Sequence, residues 1–91
     1  MTNTEHRWEI HQTRQVEKGL RKLPRQLQQR IDQAILSLAD YPRPPGSWNP
    51  RGCENHYRLR AGDWLICYTV EKEQMIVLIV ELAPRARAYR L

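Results

Sequence analysis

The chain has 91 residues, of which 41% are hydrophobic and 27% charged, and this balance is typical of one small folded domain. A domain of this size has a thin core, which excludes a deep, enclosed pocket for a large cofactor. The formal net charge of +5 favours a polyanionic partner such as nucleic acid or an acidic protein segment. With two cysteines and no apolar stretch long enough for a signal or a membrane span, the sequence predicts a cytoplasmic protein. We expect residues 1–91 to form a single domain, with residues 1–7 as a flexible tail.

The first half of the chain predicts a strand followed by a helical hairpin. Apolar and polar residues alternate from Trp8 to Gln12, as in a short strand. Thr13 suits the N-cap of a helix running to about Leu23, and Pro24 suits the first turn of a second helix. The apolar positions of the second helix recur at helical spacing, at Leu27, Ile31, Ala34, Ile35 and Leu38.

The second half predicts a loop and three antiparallel strands. Residues 41–53 hold four of the six prolines and two of the four glycines, which indicates a loop. Alternating or β-branched runs then predict strands over 55–60, 64–71 and 75–82, separated by short polar turns. The predicted fold is therefore α+β: a small antiparallel sheet of about four strands, in the order β-α-α-β-β-β, with the two-helix hairpin packed on one face.

One face of the first of these three strands is basic. Strict alternation places His56, Arg58 and Arg60 on that face, about 7 Å apart, which resembles the spacing of phosphates along a nucleic acid. A strand with one face in water also carries polar residues for solubility alone, but here all three are cationic or able to become so. Hairpin pairing adds three residues of the next strand to the same face, namely Leu65, Cys67 and Thr69. The sequence therefore predicts an apolar floor edged with cations, and we interpret this face as functional.

The end of the chain adds more cations. Residues 84–91 carry three arginines and one tyrosine without an acidic residue, namely Arg85, Arg87, Arg90 and Tyr89. Such a segment is either a solubilising end or a rim that holds phosphates and stacks on a base. Since the last strand leads directly into it, Arg85 is expected to project over the open face of the sheet.

The remaining candidate residues favour structural roles. The three histidines lie on different elements without acidic partners at metal spacing, so the sequence predicts neither a metal site nor a cofactor. Both cysteines are interpreted as small apolar residues, because no histidine with an orienting carboxylate belongs to either of them. We expect Trp48 to cover one edge of the core, and Trp8 and Trp64 to lie within it.

These segments resemble a known family. The stretch HYRLRAGDWLICYTV, preceded by YPRPPGSWNPRGCEN and followed by VLIVELAPRARAYRL, is similar to the hairpin and last strand of the RelE/ParE superfamily of bacterial type II toxins. The segment LPRQLQQRIDQAILSLADYPRPPG resembles the second helix of that superfamily, so the resemblance covers the chain from about Trp8 to Arg90. It implies a small sheet with two helices on one face, which agrees with the pattern described above.

The resemblance is closer to the RelE branch and implies a ribosome-dependent mRNA endoribonuclease that works without a metal. In that reaction the RNA 2′-hydroxyl attacks the adjacent phosphate. Leu65 departs from the family pattern, since the superfamily usually has a phosphate-binding arginine there. The resemblance assigns catalytic roles to His56, Arg58, Arg85 and Tyr89, and RNA-binding roles to Arg60, Arg87 and Arg90.

Two alternatives remain open from the sequence. The ParE branch inhibits DNA gyrase through protein binding, and an apolar residue at position 65 favours that branch. A catalytically weakened member that only binds its antitoxin is the other alternative. In each case the resemblance implies a cognate antitoxin with an acidic, amphipathic segment; the nuclease interpretation adds the ribosome and mRNA as partners.

Overall fold

The computed structural model describes residues 7–50 and 52–84. Within them the chain forms β1 (Glu9–Gln12), α1 (Arg14–Arg21), α2 (Arg25–Ser37), β2 (His56–Ala61), β3 (Trp64–Glu71) and β4 (Ile76–Pro84). The predicted order of elements is confirmed, and no boundary differs by more than two residues. The flexible tail predicted for residues 1–7 lies outside the described residues except for Arg7.

Local hydrogen bonds stabilise the start of the helical hairpin and the bend between its two helices. The Thr13 hydroxyl accepts a hydrogen bond from the Val16 amide at 3.2 Å, as expected of an N-cap. Pro24 occupies the N-cap of α2, one position before the predicted first turn. The Gln28 side-chain amide donates to the carbonyl oxygen of Leu20 at 2.7 Å, which satisfies a carbonyl at the end of α1. Across the described residues no helix is long and apolar enough to cross a membrane.

The four strands form one sheet in the order β1-β4-β3-β2. Strands β2, β3 and β4 are antiparallel neighbours, as predicted. Strand β1 instead pairs with β4 in parallel, from Glu9 opposite Ile76 to Gln12 opposite Ile79. The sheet is therefore mixed rather than wholly antiparallel. Parallel pairing needs a long crossover connection, and here that connection includes the helical hairpin and the β2–β3 hairpin.

The main core lies between the helices and one face of the sheet. Helix α1 packs over β4 and α2 lies over β2. Trp8 and Trp64 pack against this core but stay partly exposed, so they lie at its margin rather than within it as predicted. The buried residues come from both layers: Val16, Leu20, Ile31, Ile35, Leu38, Ala61, Ile66, Tyr68, Val70, Val77 and Ile79.

Tyr68 connects this core to the proline-rich loop. Its side chain is 1% exposed and stacks on Tyr57 of β2 with a ring separation of 6.0 Å. Its hydroxyl donates a hydrogen bond to the carbonyl oxygen of Pro42 at 2.7 Å. Burial raises the pKa of Tyr68 to about 12. A core residue of β3 therefore holds the loop that leads from the helices to the sheet.

Candidate nucleic-acid interface

The face of the sheet opposite the helices carries the predicted basic row. Strand pairing sets His56 opposite Thr69, Arg58 opposite Cys67 and Arg60 opposite Leu65, as the alternation predicts. His56 and Arg60 are exposed and Arg58 is half-buried. Side chains two residues apart on one strand are separated by about 7 Å. The three β2 residues therefore form a row of donors along the open face.

The proline-rich loop runs along the outer edge of β2. Trp48 and Arg58 form an isolated antiparallel bridge, in which the Trp48 amide donates to Arg58 at 3.0 Å and the Arg58 amide donates to Trp48 at 2.8 Å. Residues paired in this way share a face, so Trp48 lies on the open side of the sheet beside Arg58. The backbone of the loop thus fixes the position of Arg58.

Trp48 covers a second, smaller apolar cluster. Together with Cys67 it packs against Leu65 and Ala83, and Leu65 is 0% exposed. Trp48 therefore covers this cluster rather than an edge of the main core. The prediction of an apolar floor was wrong in one respect: Leu65 is buried beneath the indole and is not available to a ligand. The Trp48 ring therefore covers position 65, at which the sequence departs from the pattern that the resemblance predicts.

A shallow cavity of about 160 Å³ lies on the same face. It owes part of its shape to a β-bulge: Cys67 pairs with Glu81 while Tyr68 pairs with Ile79, so Val80 is an extra residue on β4. A bulge of this kind redirects the neighbouring side chains. The lining residues include His56 and Arg58 from β2, Cys67 from β3, Val80 and Glu81 from β4, and Cys53 from the loop.

The pKa of the Cys67 thiol depends on two charged side chains beside this cavity, Arg58 and Glu81. Burial raises the pKa of the Cys67 thiol, Glu81 raises it further, and the Arg58 guanidinium opposes both through its charge and a hydrogen bond. The net effect keeps the thiol protonated at neutral pH, which makes it a poor nucleophile. Cys53 and Cys67 are both free. Arg58 and Glu81 therefore act on one thiol from the two neighbouring strands.

The predicted site residues fall into two groups. Strand β2 brings together His56, Arg58 and Arg60, and the Arg60 Nε donates to the carbonyl oxygen of Gly62 at 3.3 Å. No group of three or more His, Cys, Asp or Glu side chains able to hold a metal occurs among the described residues. The remaining predicted residues, Arg85, Arg87, Tyr89 and Arg90, lie outside the described residues.

The sequence analysis missed two residues of this face, Trp48 and Glu81. Glu81 is the single acidic residue in the run MIVLIVEL, so its charge was a usable signal. However, the bulge at Val80 changes the alternation along β4. The pairing of Glu81 with Cys67 depends on this bulge and could not be predicted from the sequence. Trp48 lies in a loop, where no periodicity indicates the direction of a side chain.

A mixed four-stranded sheet with a helical hairpin on one face is the fold of the RelE toxins. An archaeal RelE–RelB complex from Pyrococcus horikoshii OT3 matches with a TM-score of 0.79 and 27% identity, over 88% of this chain and 97% of that one. The isolated E. coli RelE toxin matches with a TM-score of 0.73 and 18% identity, over 91% and 96%. The intact E. coli RelBE toxin–antitoxin complex matches with a TM-score of 0.73 and 19% identity, over 85% of this chain and 95% of that one. The chain thus has the RelE-like fold of the RelE/ParE superfamily.

The particular family follows from the sequence. Residues 10–89 match the model of the ParE toxin of the type II toxin–antitoxin system parDE. The chain therefore belongs to this toxin family. No curated protein sequence matches it significantly.

Proposed function

We propose that this protein is the toxin of a type II toxin–antitoxin pair and that it cleaves mRNA on the ribosome. The observation that carries the proposal is the row of His56, Arg58 and Arg60 on a sheet face that the helices leave open, beside a cavity lined by two of the three. A row of cations at about 7 Å intervals suits a phosphodiester backbone. The similarity of the fold to RelE toxins supports the same conclusion.

Each residue of the row has a distinct role in the proposed reaction. Arg58 binds the scissile phosphate and stabilises its developing charge. The bridge to Trp48 holds the backbone of Arg58 in place. His56 transfers a proton during cleavage. The 2′-hydroxyl attacks phosphorus, and the products are a 2′,3′-cyclic phosphate and a 5′-hydroxyl. This chemistry uses no metal or cofactor.

The residues that follow β4 complete the proposed site. Arg85 is proposed as a second phosphate ligand, and Tyr89 as a group that stacks on a base or assists proton transfer. Arg60, Arg87 and Arg90 are proposed to bind the RNA on either side of the cut. The shallow cavity does not enclose a substrate, so the ribosome must supply much of the positioning. The protein therefore acts in the cytoplasm, where translating ribosomes are found.

A cognate antitoxin is the proposed protein partner. The similar structures from P. horikoshii and E. coli are toxin–antitoxin complexes. A domain with a net charge of +5 and an open basic face attracts an acidic, amphipathic segment. We expect such a segment to cover the basic row or to displace residues 85–90. Copurification with the product of the adjacent reading frame tests this expectation.

Primer extension on an mRNA translated by purified ribosomes tests the nuclease proposal. The wild-type protein should produce cuts in codon register within the translated region. Arg58→Ala should lower the rate about 30- to 1,000-fold, equivalent to about 2–4 kcal/mol of lost transition-state stabilisation. Arg21→Ala, at the end of α1, should leave the rate unchanged and serves as a control for net charge. Uncut mRNA with wild-type protein would refute the proposal.

Inhibition of DNA gyrase is the second candidate function. The burial of Leu65 under Trp48 favours it, because the usual phosphate-binding side chain is absent from this position. A supercoiling assay with purified gyrase distinguishes the two candidates, since only the gyrase inhibitor blocks supercoiling in the absence of ribosomes. A protein that is inactive in both assays and still binds its antitoxin would be a binding-only member.

A further inference from the structure

Glu81 is the only acidic side chain among the described residues that line the open-face cavity. Its position on β4 is set by the bulge, which pairs it with Cys67. Cys67 is also paired with Arg58 on its other side. Arg58, Cys67 and Glu81 therefore form a row across three strands, and with strands about 4.8 Å apart the backbones of Arg58 and Glu81 are separated by roughly 10 Å.

A carboxylate at this place is unfavourable for simple RNA binding. It repels the phosphate that Arg58 is positioned to hold, and so it lowers the affinity of the face for any polyanion. Glu81 is exposed on β4. Its charge nevertheless reaches the cavity, since it acts on the thiol of Cys67. The location suits a group that takes part in chemistry at the bound phosphate.

Cleavage by a 2′-hydroxyl needs a base and an acid on opposite sides of phosphorus, because the attacking and leaving oxygens are in line. His56 is on β2, about 7 Å along the strand from Arg58. Glu81 is two strands away from Arg58 in the perpendicular direction. The strand register therefore places His56 and Glu81 diagonally across the cavity, on either side of the position proposed for the phosphate beside Arg58.

We infer that Glu81 is the general base of the reaction and His56 the general acid; this inference rests on the proposed ribonuclease function. The carboxylate of Glu81 takes the proton of the 2′-hydroxyl as the bond between O2′ and phosphorus forms. The bond between phosphorus and O5′ breaks, and the leaving oxygen takes a proton from the imidazolium of His56. Proton exchange with water then restores both groups, so the cycle needs no other reactant.

The test compares Glu81→Gln with wild type in single-turnover cleavage of mRNA on ribosomes, alongside measured binding to the same complexes. Glu81→Gln should lower the cleavage rate about 10²- to 10⁴-fold, the usual contribution of a general base. Binding should stay equal or become tighter, because a negative charge has been removed from a polyanion site. Glu81→Asp, which keeps the carboxylate, should retain part of the activity. Glu17→Gln on exposed α1 makes the same chemical change outside the site and should have no effect.

A pH profile separates a proton-transfer role from a purely structural one. The pH dependence of the single-turnover rate should differ between wild type and Glu81→Gln, because only wild type carries the carboxylate that accepts the proton. Glu81→Gln that cuts as fast as wild type, or faster, overturns the inference while the ribonuclease proposal stands. Failure of the wild-type protein to cut refutes the proposed function itself and removes the basis of the inference. The two failures are therefore distinguishable.

Discussion

The hydroxyl of Tyr68 should stabilise the folded protein by an amount that depends on pH. Tyr68→Phe removes one oxygen from a side chain that is 1% exposed, and with it the 2.7 Å hydrogen bond to the carbonyl oxygen of Pro42. The stacking of the ring on Tyr57 is retained. Loss of one such bond, with a carbonyl left partly unsatisfied, should lower the free energy of unfolding at pH 7 by about 1–2 kcal/mol.

The raised pKa of Tyr68 makes this deficit shrink in alkali. The pKa is about 12 in the folded protein, against an ordinary value of 10.0. Between these values the unfolded chain has lost the proton that the folded chain still holds, so wild-type stability falls as the pH rises. At pH 11 this loss amounts to about 1.4 kcal/mol. The Phe variant has no such proton, so its deficit relative to wild type should come close to zero.

Urea titrations of both proteins at pH 7 and pH 11 measure the two deficits. Ionisable groups remote from Tyr68 contribute equally to both proteins and cancel in the difference. A deficit of the same size at both pH values would refute the reasoning. It would mean that the folded environment does not hold the Tyr68 proton more tightly than water does.

Substitutions at three further positions test features of the fold, each by urea or thermal unfolding. Leu65→Arg should cost about 3–5 kcal/mol, because the new charge must displace Trp48 to reach water, while Leu65→Met should cost less than about 1.5 kcal/mol. Equal stability of both variants would contradict the burial. Thr13→Ala should lower the free energy of unfolding by about 1 kcal/mol, because the N-cap hydrogen bond is lost. Thr13→Ser retains a hydroxyl and should retain most of that stability. Gly62→Ala should lower the free energy of unfolding by about 1–2 kcal/mol, since Gly62 has φ +65°. Gly62→Asn should be less destabilising, because asparagine adopts positive φ more readily than alanine. An unchanged stability of Gly62→Ala would contradict the positive φ at this turn.

Local patterns in the sequence were sufficient to predict the elements and the basic row. The spacing around Thr13 and the alternation from His56 to Arg60 depend on neighbouring residues alone, and the structure confirms both. The parallel pairing of β1 was not predictable in this way, because it depends on which edge of the sheet the chain reaches after the helices. The same dependence on non-local pairing explains why the positions of Trp48 and Glu81 on the open face were not predicted. One is positioned by a bridge across a strand edge and the other by a bulge, and neither feature has a local sequence signal here.

The pairing of β1 with β4 also determines when the domain is complete during synthesis. Glu9 pairs with Ile76, so 67 further residues must emerge from the ribosome after Glu9 before the first strand has a partner. Contacts between such distant segments carry a large loop-closure cost and tend to form late in folding. The β2–β3–β4 meander, which holds the basic row, consists of adjacent hairpins and has no such requirement. A nascent chain therefore cannot complete its sheet until β4 has emerged, because both β1 and β3 pair with that strand.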